Sequence, residues 1–128
     1  MAFPPHPSLT AIDGVSTPKR MNVGQLIEKT GWTLVCGDVD KEIRGGWCGD
    51  LLSRVMGSGP LGSAWITVQA HRNVIAVASL REFACVIFAE GVKPDEALVN
   101  LAKQEHVTLI VSPLSVYETA KAMAALGI

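Results

Sequence analysis

The sequence predicts an α/β protein with a mainly parallel sheet flanked by helices. From residue 64 onward, strand-like and helix-like segments alternate three times, which favours parallel strands joined by right-handed crossovers. Residues 85–89 and 107–111 are continuous apolar runs of the kind that forms strands buried on both faces. The chain is 48% apolar and only 18% charged, a composition typical of a folded domain.

The first 20 residues differ in composition from the rest of the chain. They hold four of the seven prolines and no periodic apolar pattern. We therefore expect residues 1–20 to form a flexible extension and residues 21–128 to form one domain.

The chain lacks the sequence features of secretion and of membrane insertion. Its N-terminal segment has neither the basic start nor the apolar run of a signal peptide. The most apolar stretch, residues 74–89, is interrupted by Arg81 and Glu82 and is too short to cross a bilayer. We expect a cytoplasmic protein without a membrane partner.

The domain begins with a predicted helix and a predicted strand. Asn22 and Gln25 stand at the spacing of a capping box, and Gly31 ends the helix that they open. Residues 33–36 form a short strand, and the polar residues 37–40 form a turn.

The next segment is rich in glycine. Gly45 and Gly46 most simply form a tight turn or a bulge, with close approach to a ligand as the second interpretation. Residues 50–53 fit one helical turn, for which Asp50 is the local cap. Residues 57–63 hold three glycines and a proline, and we interpret them as a loop.

An unusually apolar helix is predicted in the middle of the domain. Residues 64–69 form a buried strand, and Asn73 caps a helix at residues 74–83. Apolar residues cover most of the surface of this helix. A helix of this kind is covered on more than one side, so we expect it to contact a second subunit.

The last part of the chain completes the alternation. A strand at residues 85–89 precedes a helix that residues 94–96 open. A strand at residues 107–111 precedes the last helix, where Ser115 and Glu118 stand at capping-box spacing.

Polar segments follow the three predicted parallel strands, at residues 69–73, 90–91 and 112–115. The carboxyl ends of parallel strands lie at one edge of the sheet, where ligands bind in open α/β sheets. Two of these segments lead into helix N-termini, whose free N–H groups favour anions. His71 and Arg72 add positive charge. The sequence therefore predicts a crevice for a phosphate or a carboxylate.

Seven residues are candidates for contact with such a ligand, and most of them also have a structural explanation. Capping alone accounts for Asn73 and for Asp50, and an exposed loop accounts for His71. Gln69, at the end of an apolar strand, is the least explained. The candidates are Gly45, Gly46, Asp50, Gln69, His71, Asn73 and Ser112.

Searches for catalytic, metal and nucleic-acid motifs find none. The sequence has no phosphate-binding loop, no complete Gly-x-Gly-x-x-Gly and no His-Glu-x-x-His. Three cysteines without short spacing argue against a zinc site and against a disulfide framework. With a net charge of -1 and no basic run, nucleic acid is not an expected partner. We expect no catalytic residues, no metal and no cofactor.

With these segments in view, the chain resembles the DRTGG domain family over residues 21–128. The matching stretches are DKEIRGG at 40–46, WCGDLLS at 47–53, WITVQAHRN at 65–73 and residues 112–119. The name-giving motif departs from the family pattern. Lys41 occupies its basic position, and Arg44 stands where the family usually has threonine.

The resemblance implies a fold similar to the N-terminal domains of HPr kinase/phosphorylase and of Mur ligases. Related domains lie beside CBS domains in regulated pyrophosphatases and within phosphotransacetylases, as regulatory or dimerising modules. We therefore expect a non-catalytic regulatory module that forms a homodimer and binds a small anionic metabolite, with an adenine nucleotide as first candidate. The alternative is an accessory interaction subunit of a larger metabolic enzyme. A small phosphotransfer enzyme would need a catalytic pair that the sequence does not supply.

Overall fold

The computed structural model describes residues 20–128, so all but the last residue of the flexible extension predicted at residues 1–20 lies outside the described residues. Five strands and five helices make up this part of the chain. In chain order they are α1 (Val23–Thr30), β1 (Thr33–Cys36), β2 (Gly45–Cys48), α2 (Leu52–Ser58), β3 (Ser63–Thr67), α3 (Arg72–Leu80), β4 (Cys85–Phe88), α4 (Glu96–Gln104), β5 (Leu109–Val111) and α5 (Val116–Ala125).

The strands form one mainly parallel sheet, which confirms the predicted fold class. The strand order is β1-β5-β4-β3-β2. Strands β2 to β5 are parallel to one another, and β1 lies antiparallel beside β5 at one edge. The predicted alternation from residue 64 onward therefore gives neighbouring parallel strands.

The helices lie in two layers on the two faces of the sheet. Trp65, Val86 and Phe88 pack with α2, α3 and α4 on one face. Ile66 and Ile87 pack with α1 and α5 on the other. Successive residues of a strand point to opposite faces, and helices cover both faces, so the central strands β3 and β4 are buried at every position.

The helix starts at both ends of the domain follow the predicted caps. Asn22 Oδ1 accepts a hydrogen bond from the Gln25 N–H at 2.8 Å, and the Asn22 N–H donates to Gln25 Oε1 at 2.9 Å. Gly31 ends α1 in the left-handed conformation, with φ 74°. Ser115 Oγ accepts from the Glu118 N–H at 3.1 Å at the start of α5.

The glycine pair lies in a strand, so its interpretation as a turn or bulge was wrong. Gly45 and Gly46 pair with Ser63 and Ala64 as the first two residues of β2. Ladder hydrogen bonds come from the backbone, and strand pairing here overrides the low strand propensity of glycine. A Cβ at Gly45 would meet no described atom within 4 Å, so close packing is not what demands glycine there.

The helix after β2 is longer than the predicted single turn. α2 spans seven residues and includes Gly57, which was assigned to a loop. The chain leaves the helix at Gly59, where a Cβ would lie 2.5 Å from the Phe83 ring and 2.8 Å from the Val55 carbonyl oxygen. Close packing therefore requires glycine at position 59, whereas a Cβ at Gly57 would meet no described atom within 4 Å.

Helix α3 begins two residues before the predicted start. Its N-cap is His71, whose Nδ1 accepts a hydrogen bond from the Asn73 N–H at 3.1 Å. The interpretation of Asn73 as the cap was therefore wrong. An imidazole nitrogen took the place that the pattern gave to an amide oxygen.

The apolar surface of α3 is covered within the chain. The helix packs between α2 and α4, and Val74, Ile75, Val77 and Ala78 are buried. Leu80 is the exception, at 68% exposed. Neighbouring helices thus account for the apolar character from which we expected a subunit contact.

Within residues 20–128 the longest helix has ten residues, and none is long and apolar enough to cross a membrane.

Candidate functional site

Four loops leave the carboxyl ends of β2, β3, β4 and β5 at one edge of the sheet. They begin at Gly49, Val68, Ala89 and Ser112. The parallel direction of these strands places the loops side by side. This is the edge at which the sequence predicts a ligand.

The loops after β4 and β5 are joined by backbone hydrogen bonds. The Glu90 N–H donates to the Leu114 carbonyl at 2.7 Å, and the Gly91 N–H donates to the Ser112 carbonyl at 2.8 Å. β4 leads to α4 on one face of the sheet, and β5 leads to α5 on the other. Such a change of side is where open α/β sheets usually leave a crevice. Here hydrogen bonds close it.

Ser112 is buried inside this joint. Its Oγ lies 2.8 Å from Thr119 Oγ1 and accepts from the Leu114 N–H at 3.2 Å. Both hydroxyls are fully buried. The Ser112 side chain therefore fixes the start of α5 and does not face an open site.

Asp50 holds the end of β3. Its Oδ1 accepts hydrogen bonds from Thr67 Oγ1 at 2.6 Å and from the Val68 N–H at 3.0 Å. The N-cap of α2 is Leu51, which makes no side-chain capping bond, so the interpretation of Asp50 as a local cap was wrong. The carboxylate reaches across to the neighbouring strand because β2 and β3 end side by side.

Three of the candidates lie just after β3, and all three are exposed: Gln69 and His71 are in the loop, and Asn73 is the second residue of α3. The Gln69 N–H donates to Thr67 Oγ1 at 3.2 Å, which links this loop to the Asp50 group. His71 Nδ1 accepts from the Asn73 N–H, so a neutral imidazole carries its proton on Nε2. The Nε2–H is then free to donate to a ligand.

A cleft of about 530 Å³ opens between the start of α3 and the outer side of α4. His71 and Arg72 stand on one side, and Asn100 and Gln104 stand on the other. The full lining is Ala70, His71, Arg72, Asp95, Ala97, Leu98, Asn100, Leu101 and Gln104. The Asp95 carboxylate accepts the Leu98 N–H as the cap of α4. The Arg72 guanidinium and the two amides around buried Leu98 suit a ligand that has both an anionic group and a flat apolar part.

The cleft draws on few of the predicted residues. His71 lines it, and Asn73 lines an adjoining cleft of about 440 Å³ between α3 and α4. Gly45 and Gly46 lie on the outer strand β2, and Ser112 is buried. The seven candidates therefore do not form one site.

The α4 side of the cleft is what sequence reasoning missed. Asn100 and Gln104 lie opposite the apolar face of α4, a position that normally indicates solvent. Their spacing of four residues places both on one side of the helix. That spacing was a signal, but only the position of α3 shows what the two amides face.

A second cleft, of about 430 Å³, lies at the opposite edge of the sheet. Its lining mixes three basic with three acidic side chains: Lys41, Arg44, His106, Glu42, Glu82 and Glu105. Arg44 Nε lies 3.8 Å from Glu42 Oε1. Three carboxylates in this lining disfavour an anion more than the single carboxylate, Asp95, in the cleft at the start of α3.

The cysteines show no sign of an activated thiol. Burial raises the pKa of Cys85 to about 12. Burial and the nearby charge of Asp50 raise the pKa of Cys48, which lies on β2. Over the described residues, no group of three histidine, cysteine or acidic side chains is placed to hold a metal ion.

A protein-family model described as "DRTGG domain" matches residues 58–126, which is more than half of the chain. The matched range contains the stretches at 65–73 and 112–119 and leaves out the glycine motif at 40–46. A comparison with curated proteins found no match.

Among solved structures, the chain is similar to the CBS and DRTGG domains of the regulatory region of Clostridium perfringens pyrophosphatase, crystallised with the activator diadenosine tetraphosphate. The TM-score is 0.65 at 12% sequence identity, over 79% of this chain and 45% of that chain. The present chain thus spans less than half of that regulatory region. At this identity, the likeness shows the fold alone.

Proposed function

Because this chain belongs to the DRTGG domain family, a family of regulatory domains, we propose that it senses a small anionic metabolite, with an adenine nucleotide as first candidate. The ligand binds in the cleft between the start of α3 and α4. Binding of the ligand regulates a partner activity, and the domain itself catalyses no reaction.

The cleft is the observation that carries this proposal. Its volume of about 530 Å³ lies within the ~300–1,000 Å³ range of small-molecule sites. Arg72 is the first residue of α3, so its charge adds to the free N–H groups of a helix N-terminus. A phosphate group fits this side of the cleft, and a base fits against Leu98 and Leu101.

The solved neighbour supports the choice of an adenine nucleotide. The pyrophosphatase regulatory region was crystallised with diadenosine tetraphosphate, which is its activator. That region also contains CBS domains. Because that region contains other domains as well, its activator does not identify a site in this chain. We therefore infer the site from this chain's own cleft and take from the neighbour only the compounds to test first.

The hydrogen bonds in the cleft support binding without catalysis. Asp95 Oδ1 accepts from the Leu98 N–H at 2.8 Å, and His71 Nδ1 accepts from the Asn73 N–H. Both groups cap helices, so neither is arranged as a general base next to a nucleophile.

Isothermal titration calorimetry tests the ligand. AMP, ADP, ATP and diadenosine tetraphosphate are titrated into the wild type, Arg72→Gln and Arg54→Gln. Loss of a charge-assisted contact predicts at least about tenfold weaker binding in Arg72→Gln. Arg54 is exposed on α2 and does not line the cleft, so Arg54→Gln keeps wild-type affinity. Silence across the panel contradicts the proposed ligand class, and equal affinity in all three proteins contradicts the site.

We also propose that the chain forms a homodimer, as the family resemblance implies. Multi-angle light scattering across a range of protein concentrations measures the mass directly. A mass of one chain at the highest concentration contradicts this part of the proposal.

The alternative function is that of an accessory subunit of a larger metabolic enzyme. Leu80 favours this alternative, because its side chain is 68% exposed and lines the adjoining cleft of about 440 Å³ between α3 and α4. In a pull-down, a partner that docks there is retained by the wild type and lost by the Leu80→Glu variant. Under this alternative, nucleotide titration of the wild type shows no binding heat.

A further inference from the structure

Two clefts lie side by side in the groove between α3 and α4. The larger cleft, of about 530 Å³, is the one proposed for the ligand, and the smaller cleft has about 440 Å³. Arg72 and Leu101 line both clefts, so the two clefts meet at these residues. From Arg72 to Leu80, which lines the smaller cleft, α3 rises by about 12 Å. The groove therefore continues along α3 beyond the larger cleft.

The two clefts differ in chemistry. Asn100 and Gln104 line the larger cleft, and side-chain amides can hydrogen-bond two adjacent polar atoms of an adenine ring. Ile75 and Leu80 give the smaller cleft apolar walls, and Glu105 is the acidic residue in its lining. A carboxylate accepts hydrogen bonds from ribose hydroxyls and repels a phosphate. The larger cleft therefore suits adenine, and the smaller one suits a second nucleoside that carries no further phosphate.

Arg72 is the basic residue that the two clefts share. Within residues 20–128 both ion pairs of the structure are made to Glu42, so the Arg72 guanidinium has no carboxylate partner. A guanidinium binds phosphate oxygens through two parallel hydrogen bonds. Asp95 lies in the lining of the larger cleft and Glu105 in that of the smaller. A pyrophosphate at Arg72 is therefore favoured over a longer phosphate chain, which would extend toward one of these carboxylates.

We propose that the groove binds a dinucleotide whose two nucleosides are joined by a pyrophosphate, the class of NAD⁺. The adenine lies against the amides of Asn100 and Gln104, and the pyrophosphate lies at Arg72. The second ribose donates hydrogen bonds to Glu105, and the second base, which is positively charged in NAD⁺, lies against Leu80. This inference names the ligand of the site under the proposed function and rests on that function. The dinucleotide is a sensed ligand, and no hydride transfer is part of the inference.

The link between the two nucleosides raises the affinity. Once the adenosine end is bound, the second nucleoside reaches the smaller cleft within the same molecule. We therefore expect NAD⁺ to bind the wild type at least about tenfold more tightly than ADP. Diadenosine tetraphosphate has the longer phosphate chain and is expected to bind more weakly than NAD⁺.

Three alanine-to-tryptophan variants test the division of the groove by isothermal titration calorimetry. Each replaces an exposed helical alanine: Ala76 lines the smaller cleft, Ala97 lines the larger cleft, and Ala124 on α5 lines neither. In Ala76→Trp the indole fills the smaller cleft, so the affinity for NAD⁺ should fall at least about tenfold, to that for ADP, while ADP binds as to the wild type. Ala97→Trp should weaken the binding of both ligands, and Ala124→Trp the binding of neither.

The variant Glu105→Gln tests the smaller cleft without adding bulk. Loss of the carboxylate charge is expected to weaken NAD⁺ binding at least about threefold and to leave ADP binding unchanged. Circular dichroism checks that each variant folds. If Ala76→Trp does not fold, the comparison of NAD⁺ with ADP in Glu105→Gln decides, and unchanged NAD⁺ affinity there contradicts the inference.

The outcomes separate this inference from the proposed function. A wild type that binds none of ADP, diadenosine tetraphosphate and NAD⁺ overturns both. Binding of ADP with no gain for NAD⁺, or a gain that Ala76→Trp retains, overturns the dinucleotide and leaves the proposed function standing. A wild type that binds diadenosine tetraphosphate more tightly than NAD⁺ overturns the placement of a pyrophosphate at Arg72 in the same way.

Discussion

At the scale of single residues, side chains that look available for a ligand are engaged within the fold. Asp50 binds Thr67 Oγ1 and the Val68 N–H, and the Ser112 hydroxyl lies against that of Thr119. Asp50 and Thr67 are 17 residues apart in the chain. The sequence placed Ser112 after a strand and Asp50 at the start of a helical turn, but it could not assign partners that meet only when neighbouring strands pair.

Asp50→Ala tests the structural role of this carboxylate. The substitution leaves the buried Thr67 hydroxyl and the Val68 N–H without their acceptor, so we expect the free energy of unfolding to fall by about 1–3 kcal/mol. Urea denaturation measures it. Glu105→Ala, at an exposed position, is the control and should change stability by less than about 0.5 kcal/mol. If both variants are equally stable, Asp50 is free for another role.

The raised pKa of Cys85 predicts a loss of stability in alkali. Burial raises the pKa of the Cys85 thiol from 9.0 in the unfolded chain to about 12 in the folded protein. The folded state therefore keeps a proton that the unfolded state loses. This contribution to stability is complete below pH 9, falls as the pH rises and is gone above about pH 12.

Urea denaturation of the wild type and Cys85→Ala between pH 8 and about 10.5 measures this effect. Once the unfolded thiol is ionised, the wild type should lose ~1.4 kcal/mol per pH unit more than Cys85→Ala. Parallel stability curves for the two proteins would show that Cys85 does not titrate differently in the two states.

At the scale of elements, the sequence predicted helix starts well where a short polar side chain supplies the cap. Asn22 and Ser115 cap α1 and α5 as their spacing indicates. It failed at α3, where a histidine is the cap, and at β2, where strand pairing overrides two glycines. At α3 the hydrogen bond from the Asn73 N–H to His71, and at β2 the pairing with β3, outweighed the usual preferences of these residue types.

Alanine substitutions at the start of α3 test this assignment. His71→Ala removes the acceptor of the Asn73 N–H and is expected to lower the free energy of unfolding by roughly 0.5–2 kcal/mol. Asn73→Ala keeps that bond and places a good helix former in the first turn, so its effect should stay below about 0.5 kcal/mol. Thermal and urea denaturation compare the two, and the reverse order would restore Asn73 as the cap.

At the scale of the whole molecule, the alternation of strands and helices was sufficient to predict a mainly parallel sheet. The antiparallel β1 was not predictable, because residues 33–36 carry no signal of direction. Nor was the joint between the loops after β4 and β5, which depends on backbone atoms of Glu90 and Ser112. Because hydrogen bonds close the space between these two loops, the candidate site is the cleft between the start of α3 and α4.

Amide chemical-shift mapping of the ¹⁵N-labelled protein shows whether an adenine nucleotide binds in the cleft between the start of α3 and α4, as we propose. On titration with diadenosine tetraphosphate and with ATP, we expect the largest shifts at Ala70, His71, Arg72, Asn100 and Gln104. No saturable shifts, or shifts centred on Arg44 and His106 at the opposite edge of the sheet, would contradict it.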